Sequence, residues 1–208
     1  MIDIAFLVTA FAALFVVIDP IGLTPIFVAL TQGMSATRRR ALALRACGIS
    51  FALLLVFALF GEAVLGFIGI SMPAFRVAGG ILLFLTALDM LFERRQKRRR
   101  DQADEEDDED DDPSVFPLAI PLIAGPGAIA TIILLVGQGE GLVGFVAIMG
   151  VLLAVLALVL TLFLGAGLLE RLLGKVGINV VTRLLGMLLA ALSVQFVLDG
   201  LRSFGLGG

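Results

Sequence analysis

The 208-residue chain contains no histidine, tryptophan or tyrosine, and its single cysteine is Cys47. Without histidine the chain has no imidazole for acid–base catalysis or metal binding. One thiol excludes intramolecular disulfides, CxxC redox chemistry and cysteine-rich zinc sites. Any aromatic belt at a membrane surface must therefore consist of some of the 16 phenylalanines. These absences remove several classes of enzyme and metalloprotein from consideration.

Apolar residues dominate what remains, since they make up 60% of the chain and its mean hydropathy is +1.10. Soluble domains are about 45–50% apolar, and about 20 consecutive apolar residues indicate a membrane-spanning helix. The formal net charge of −3 arises in residues 93–114, which hold 6 of the 15 Lys/Arg and 11 of the 18 Asp/Glu. The composition thus predicts an integral membrane protein and gives no reason to expect nucleic-acid binding.

Uncharged runs predict six transmembrane helices, over about residues 4–31, 42–65, 73–92, 115–137, 142–168 and 178–201. Loops on one side of the membrane then carry 13 of the 15 Lys/Arg, and the other side has only Arg76 and Arg202. The positive-inside rule places both termini outside and the 93–114 linker in the cytoplasm of a bacterial plasma membrane. The opening MIDIAFLV lacks a basic region, so we interpret it as the start of helix 1 rather than a signal peptide.

Residues 1–92 and 115–208 resemble each other weakly. Three motifs recur in the same order: Pro20-x4-Pro25 as Pro121-x4-Pro126, Leu65-Gly66-x-x-Gly69-Ile70 as Leu173-Gly174-x-x-Gly177-Ile178, and Arg76-x-x-Gly79 as Arg183-x-x-Gly186. Because each half holds three helices, the second enters the membrane from the opposite side, as in secondary transporters with inverted repeats. The competing explanation is chance similarity in a Leu-, Gly- and Ala-rich chain. We interpret 93–114 as a solvated linker whose basic part reinforces the orientation or contacts anionic lipid.

The two proline pairs lie inside spans one and four. Proline removes a backbone donor and clashes with the preceding turn, so each of these helices should be broken mid-membrane. Freed backbone groups at that depth require contact with protein or a water-filled cavity. We therefore expect the two breaks to face inward and to face each other.

Each break also has the form of a helix start, since Asp19 and Gly125 are suitable N-caps and each precedes a proline. A half-helix N-terminus attracts anions such as a carboxylate, Gly127 permits close approach of a ligand, and Asp19 adds a negative charge. This combination fits a zwitterionic amino acid. Asp19 is either a purely structural cap or a contact for substrate, cation or coupling proton. The hydroxyls of Thr24 and Thr131 are either minor ligand contacts or bonded within their own helices.

Four charged residues near helix ends are candidates for coupling or gating. Inversion would place Arg76 on the same side as Asp199, and Arg183 on the same side as Asp89, so two ion pairs could close the two ends of the bundle. Both arginines could instead simply snorkel to the membrane interface. Small residues at 78–80 and 186–191 predict close helix packing.

Several stretches resemble the MarC family of six-span membrane proteins of bacteria and archaea, which is named for a locus linked to multiple antibiotic resistance. The matching stretches are DPIGLTPIF from Asp19, GIS from Gly69, AFRVAGGILLF from Ala74, ALDM from Ala87 and FPLAIPLIAGPGAI from Phe116. The resemblance covers essentially the whole chain outside the acidic run. Leu23-Thr24 departs from the Asn-Leu expected in many relatives, which could alter ligand preference.

The resemblance implies transport of small neutral amino acids such as glycine and alanine, driven by a cation gradient. It implies that broken helices 1 and 4 line the substrate site. The residues it marks there are Asp19, Pro20, Gly22 and Pro25, together with Gly125, Pro126 and Gly127.

The sequence therefore predicts an all-α secondary transporter that works by alternating access, with H⁺ or Na⁺ as the coupling ion, no other cofactor or metal, and no catalytic residues. Its expected partners are a zwitterionic amino acid and the lipid bilayer, and its oligomeric state is left open. A second hypothesis is an intramembrane lipid-modifying enzyme, although polar groups near mid-membrane are few for such chemistry. Drug or metabolite efflux, a small channel or a scaffold would also be compatible with the sequence.

Overall fold

The computed structural model describes residues 4–95, 97–99, 112–139 and 141–205, and these residues are helical without any strand. Eight segments follow one another along the chain: α1 (Ile4–Ile18), α2 (Pro20–Leu30), α3 (Ala36–Ile68), α4 (Met72–Leu91), α5 (Ser114–Ile123), α6 (Pro126–Val136), α7 (Gly141–Leu164) and α8 (Ala166–Ser203). Segment α5 is irregular, because Phe116 and Ile120 adopt extended backbone angles before Pro117 and Pro121.

Within the described residues, five stretches are long and apolar enough to cross a membrane, and α5 with α6 makes a sixth. The five stretches are Ile4–Leu30, Ala36–Ile68, Met72–Leu91, Gly141–Leu164 and Val176–Ser203. The predicted all-helical, six-span architecture is therefore confirmed. The boundaries differ most at the second span, predicted over 42–65. Its helix extends to Ala36 because Ser35 caps it by accepting from the Arg38 amide at 3.3 Å, a signal that a count of uncharged residues does not detect.

The repeated Leu-Gly-x-x-Gly-Ile motif forms a turn in both halves, but at non-equivalent glycines. In the first copy Gly69 ends α3 with a φ of 84°, and Ser71 then caps α4. In the second copy Gly174, with a φ of 61°, interrupts α8. Both glycines need the left-handed region, which a side chain disfavours. The repeated motif pairs Gly69 with Gly177 instead, so the inverted-repeat organisation stays a prediction.

The two interrupted spans lie at the centre of the bundle. Segment α1 packs against α6 and α7, α2 packs against α7 and α8, and seven of the eleven residues of α6 are buried. By contrast, large apolar side chains such as Phe60, Val64 and Leu142 are exposed on α3 and α7. An apolar exterior around a buried, irregular centre suits a bundle that faces lipid and keeps its broken helices away from it.

An exposed ion pair connects the residues before α5 with α3. The Arg45 guanidinium pairs with the Asp112 carboxylate, which also accepts from the Ser114 hydroxyl at 2.7 Å and the Ser114 amide at 3.0 Å. These hydrogen bonds from Ser114, followed by the attraction of Arg45, hold the pKa of Asp112 below its ordinary value. The carboxylate thus stays charged and positions the chain that enters the second broken span.

Helices α4 and α8 pack closely because glycines lie at their contact. A Cβ on Gly80 would lie 2.7 Å from Val197 Cγ2 and 2.8 Å from the Ser193 carbonyl oxygen. A Cβ on Gly186 would lie 2.9 Å from Met90 Cβ, and one on Gly79 would lie 2.9 Å from Leu134 Cδ1 on α6. The predicted packing role of these small residues is confirmed, and α4 is held against both α6 and α8.

Gly80→Ala should destabilise the bundle by about 1–3 kcal/mol, because the added methyl group overlaps the α8 backbone, which no rotamer change can relieve. Thermal unfolding of the purified protein in detergent measures this loss. Gly150→Ala is the matched control, since a Cβ at Gly150 meets nothing within 4 Å. Equal unfolding temperatures for the two variants would contradict the close α4–α8 contact.

Candidate functional site

The break between α1 and α2 is centred on Asp19, which is fully buried and has left-handed backbone angles, φ 57° and ψ 64°. Its Oδ1 accepts from the Gly22 amide at 3.1 Å and so caps α2, whose first residue is Pro20. A Cβ on Gly22 would lie 2.2 Å from Asp19 Oδ2, so only glycine fits beneath the carboxylate. The cap predicted for Asp19 is present, while contact with a ligand stays a prediction.

The same break deprives the end of α1 of hydrogen-bond donors. Pro20 has no amide hydrogen for the carbonyl four residues before it, and the Gly22 amide is diverted from the Ile18 carbonyl to Asp19. Unpaired carbonyls at the centre of a membrane protein cost free energy, so they need another donor.

Donors for the Val17 and Ile18 carbonyls come from residues 94–99, which we call the arm; residue 96 lies outside the described part of the chain, and the other five residues are helical. Arg99 donates to Asp19 Oδ2 at 3.3 Å and to the Ile18 carbonyl at 3.1 Å. Arg95 donates to the Val17 carbonyl and, at 2.9 Å, to Met90 Sδ. Arg99 is only 5% exposed, so this contact is internal.

The interpretation of residues 93–114 as a solvated linker was therefore wrong for Arg99, although Lys97 and Arg98 of the arm are exposed. Arg95 and Arg99 are four residues apart, and this spacing places both side chains on one face of a helix. That spacing could have indicated a shared internal contact. The positive-inside rule, however, also accounts for a basic run beside a transmembrane helix. Burial and the neighbouring charge of Arg95 lower the pKa of Arg99, and its pairing with Asp19 opposes this shift. The acidic residues 101–111 lie outside the described part.

The second break lies between α5 and α6, whose axes are bent by 57°. Gly125 is the N-cap of α6 and contributes no side-chain hydrogen bond; a Cβ there would lie 2.5 Å from the Pro121 carbonyl oxygen. The first amides of a helix have no partner within it, so those of Gly127 and Ala128 point out of the uncapped end. This end of α6 therefore presents partial positive charge.

A cavity of about 250 Å³ lies in front of this uncapped end. Its wall comes from the α1 terminus, α4, the arm and the second break: Val17, Leu82, Thr86, Asp89, Arg95, Arg98, Arg99, Pro121, Leu122, Gly125, Pro126, Gly127 and Ala128. Of the predicted substrate residues, Gly125, Pro126 and Gly127 line this cavity. Arg99 lines the cavity and bonds Asp19. The remaining six predicted residues lie outside its wall: Asp19, Pro20, Gly22, Thr24, Pro25 and Thr131.

The two threonines bond within their own helices. Thr24 Oγ1 donates to the Pro20 carbonyl at 2.9 Å, and Thr131 Oγ1 donates to the Gly127 carbonyl at 2.8 Å. Both carbonyls belong to first-turn residues beside a break. The threonines thus fit the structural interpretation, in which each hydroxyl is bonded within its own helix.

Neither predicted gating pair forms. Arg183 pairs with Glu93 at 2.7 Å, and Asp89 pairs instead with Arg98 of the arm at 2.9 Å. The pairing of Arg76 with Asp199 was also wrong. Asp199 accepts from Gln195 at 2.8 Å and lies 3.7 Å from Arg202, while Arg76 Nε is buried without a hydrogen-bond partner in the described part. Symmetry predicted distant partners, but Asp89 and Arg183 pair with residues that follow α4, and Asp199 contacts residues of its own helix.

Gly22→Ala should lower the free energy of unfolding by at least about 1 kcal/mol, because the new methyl group displaces the Asp19 carboxylate from its cap. Thermal unfolding in detergent measures the loss. Gly48→Ala serves as the control, since a Cβ at Gly48 meets nothing within 4 Å. A Gly22→Ala protein as stable as this control would show that the cap contributes nothing.

Comparison with known proteins places this architecture in a family. The family model described as MarC family integral membrane protein matches residues 4–204. The chain is 36% identical over 201 residues to a UPF0056 membrane protein of Methanocaldococcus jannaschii, covering 96% of this chain and 98% of that protein. It is 40% identical to the UPF0056 membrane protein YvbG of Bacillus subtilis, covering 95% of each chain.

It is also 34% identical to the UPF0056 inner membrane protein YhgN of Escherichia coli, covering 94% of this chain and 96% of that protein. No solved structure matches the chain significantly. The length of the family match, the relatives and the six apolar spans agree with one another, and the chain belongs to the MarC family of multi-pass integral membrane proteins.

Proposed function

We propose that this protein is a secondary transporter of small neutral amino acids in the bacterial inner membrane, coupled to a cation gradient and working by alternating access. The observation that carries the proposal is the opposite polarity of the two breaks. The uncapped start of α6 offers amide hydrogens, whereas the end of α1 with Asp19 offers carbonyls and a carboxylate.

A zwitterion matches this arrangement. Its carboxylate would bind the free amides of Gly127 and Ala128 at the helix N-terminus, where an anion is favoured. Its ammonium group would bind toward Asp19 and the carbonyls of α1. The cavity of about 250 Å³ between these ends suits a small ligand, and Gly127 allows the carboxylate to approach the backbone.

Asp19 is the natural residue for coupling, because it is a fully buried carboxylate at a break in a span. Carboxylates at such depth commonly serve proton or ion pathways. In this proposal the 93–114 segment is cytoplasmic, both termini are external, and inward- and outward-open states alternate around the two breaks.

A lipid-modifying enzyme is the second candidate, since Arg95, Arg98 and Arg99 in the cavity wall could hold a phosphate group. Two of these arginines already pair with carboxylates, and the third bonds a carbonyl. The arginines are thus engaged with the protein's own acceptors, which favours transport over phosphate chemistry.

Uptake of labelled glycine and alanine into proteoliposomes tests the proposal. Asp19→Asn should reduce uptake about 10- to 100-fold, because the amide can still cap α2 but loses the charge that would hold an ammonium group. Glu62→Gln is the control, since Glu62 is an exposed carboxylate on α3. Full, pH-independent uptake by Asp19→Asn would remove Asp19 from the mechanism. Absence of transport together with turnover of a lipid would instead favour the enzyme.

Gly127→Ala should weaken the apparent affinity for alanine at least tenfold and the affinity for glycine less, because one methyl group in a small pocket is worth about 1–3 kcal/mol. The added Cβ would meet Leu83 at 3.5 Å, and Val17 and Thr86 of the cavity wall at 3.8 and 3.9 Å, so the fold itself accommodates it. Substrate dependence of initial uptake rates gives the affinities, and an unchanged unfolding temperature separates the effect from misfolding. Unchanged affinities would show that the ligand does not approach Gly127.

A further inference from the structure

Three oxygen atoms lie on consecutive residues at the end of α1: the carbonyls of Val17 and Ile18 and Oδ2 of Asp19. All three accept hydrogen bonds from guanidinium groups of the arm. Consecutive carbonyls at the end of a half-helix, joined by a carboxylate, form the type of oxygen ligand set that binds small cations in discontinuous membrane helices.

We propose that these three oxygens form a binding site for a small cation, either an alkali ion or a primary ammonium group, and that Arg95 and Arg99 occupy it as a tethered substitute. The arm must withdraw before the site is loaded. The proposal rests on the transport function for the identity of an ammonium-bearing substrate, but the cation site itself can be tested without transport.

The charges at the site explain why one cation would exchange for another. Asp19 is fully buried and Arg99 is 5% exposed, so withdrawal of the arm alone would leave a carboxylate buried without a counter-charge. Removing one partner of a buried pair is strongly unfavourable. An incoming cation neutralises the same carboxylate, and the arginines regain water.

The remaining attachments of the arm permit this exchange. The Arg183–Glu93 pair just before the arm is about half exposed on both sides, and the Arg98 side chain, which pairs with the 19% exposed Asp89, is itself 65% exposed. Exposed pairs of this kind contribute little stability. The contacts with the α1 terminus therefore decide whether the arm stays in place.

Arg99→Gln tests the competition, with Lys97→Gln as the matched control, since Lys97 is an exposed cation of the same arm. Thermal unfolding of the purified full-length protein is followed in sodium chloride and in methylammonium chloride, each against choline chloride at equal ionic strength. If the arm occupies the site in nine molecules of ten, Arg99→Gln should raise the apparent cation affinity about tenfold, whereas Lys97→Gln should behave as the wild type. A response to sodium alone identifies an alkali-ion site, and one to methylammonium alone identifies an ammonium site.

A second measurement keeps the proposal falsifiable if Arg99→Gln does not fold. A spin label on Lys97→Cys, in a Cys47→Ala background, reports arm mobility while both arginines remain. Sodium or methylammonium should increase the mobility relative to choline, and an unchanged spectrum in both salts would overturn the proposal. Cation-dependent mobility without glycine transport would retain the site and reject the proposed function. Glycine transport, with equal cation affinities in the wild type and in Arg99→Gln, would retain the proposed function and reject the cation site.

Discussion

The need to satisfy backbone groups away from water determines the centre of this protein. Each broken span frees carbonyls and amides where an unpaired group costs several kcal/mol. At the first break the chain supplies partners from two directions: Asp19 receives the Gly22 amide, and arginines from residues beyond α4 bond the carbonyls of Val17 and Ile18. The break, the cap and the arm thus belong to one hydrogen-bond network, in which each depends on the others.

The two breaks satisfy that requirement unequally. At the first break, the Asp19 side chain accepts a hydrogen bond from the start of α2. At the second break, Gly125 caps α6 without a side-chain hydrogen bond, and the free amides face a cavity. Glycines on α4 let this helix approach α6 and α8 closely, and the arm follows α4 along the chain. The first amides of α6 are therefore left beside the cavity, whereas at the first break the Gly22 amide and the carbonyls of Val17 and Ile18 bond with the protein's own side chains.

Features that depend on local chemistry could be predicted from the sequence. Proline has the same effect on a helix in any fold, so Pro20 and Pro126 correctly predicted where α2 and α6 begin. Asp19 and Gly125 were also correctly predicted as the N-caps of these two helices. The charged contacts could not be predicted in this way, because they depend on which of several arginines comes nearest. Asp89 had one symmetry-related partner in Arg183 and an unanticipated one in Arg98, only nine positions further along the chain. The burial of Arg99 was not predicted, because the positive-inside rule already accounts for a basic run at this position.

The difference between the breaks has a consequence for the ligand. Two equivalent breaks, each with a bare helix start, would offer two positive ends and would favour an anion at both. Asp19 reverses the polarity at one break, since its carboxylate fills the start of α2 and adds its charge to the carbonyl end of α1. The remaining unfilled start, at Gly125, keeps its positive character. The two breaks thus differ in polarity, with Val17 of α1 and Gly125 of α6 both in the cavity wall, and in the proposed transporter a dipolar ligand would be oriented as a dipole between them. Arg99 pairs with the carboxylate of Asp19 and bonds the Ile18 carbonyl, which is why, in the proposed mechanism, the basic segment and a cationic group of the ligand would compete for the same end of α1.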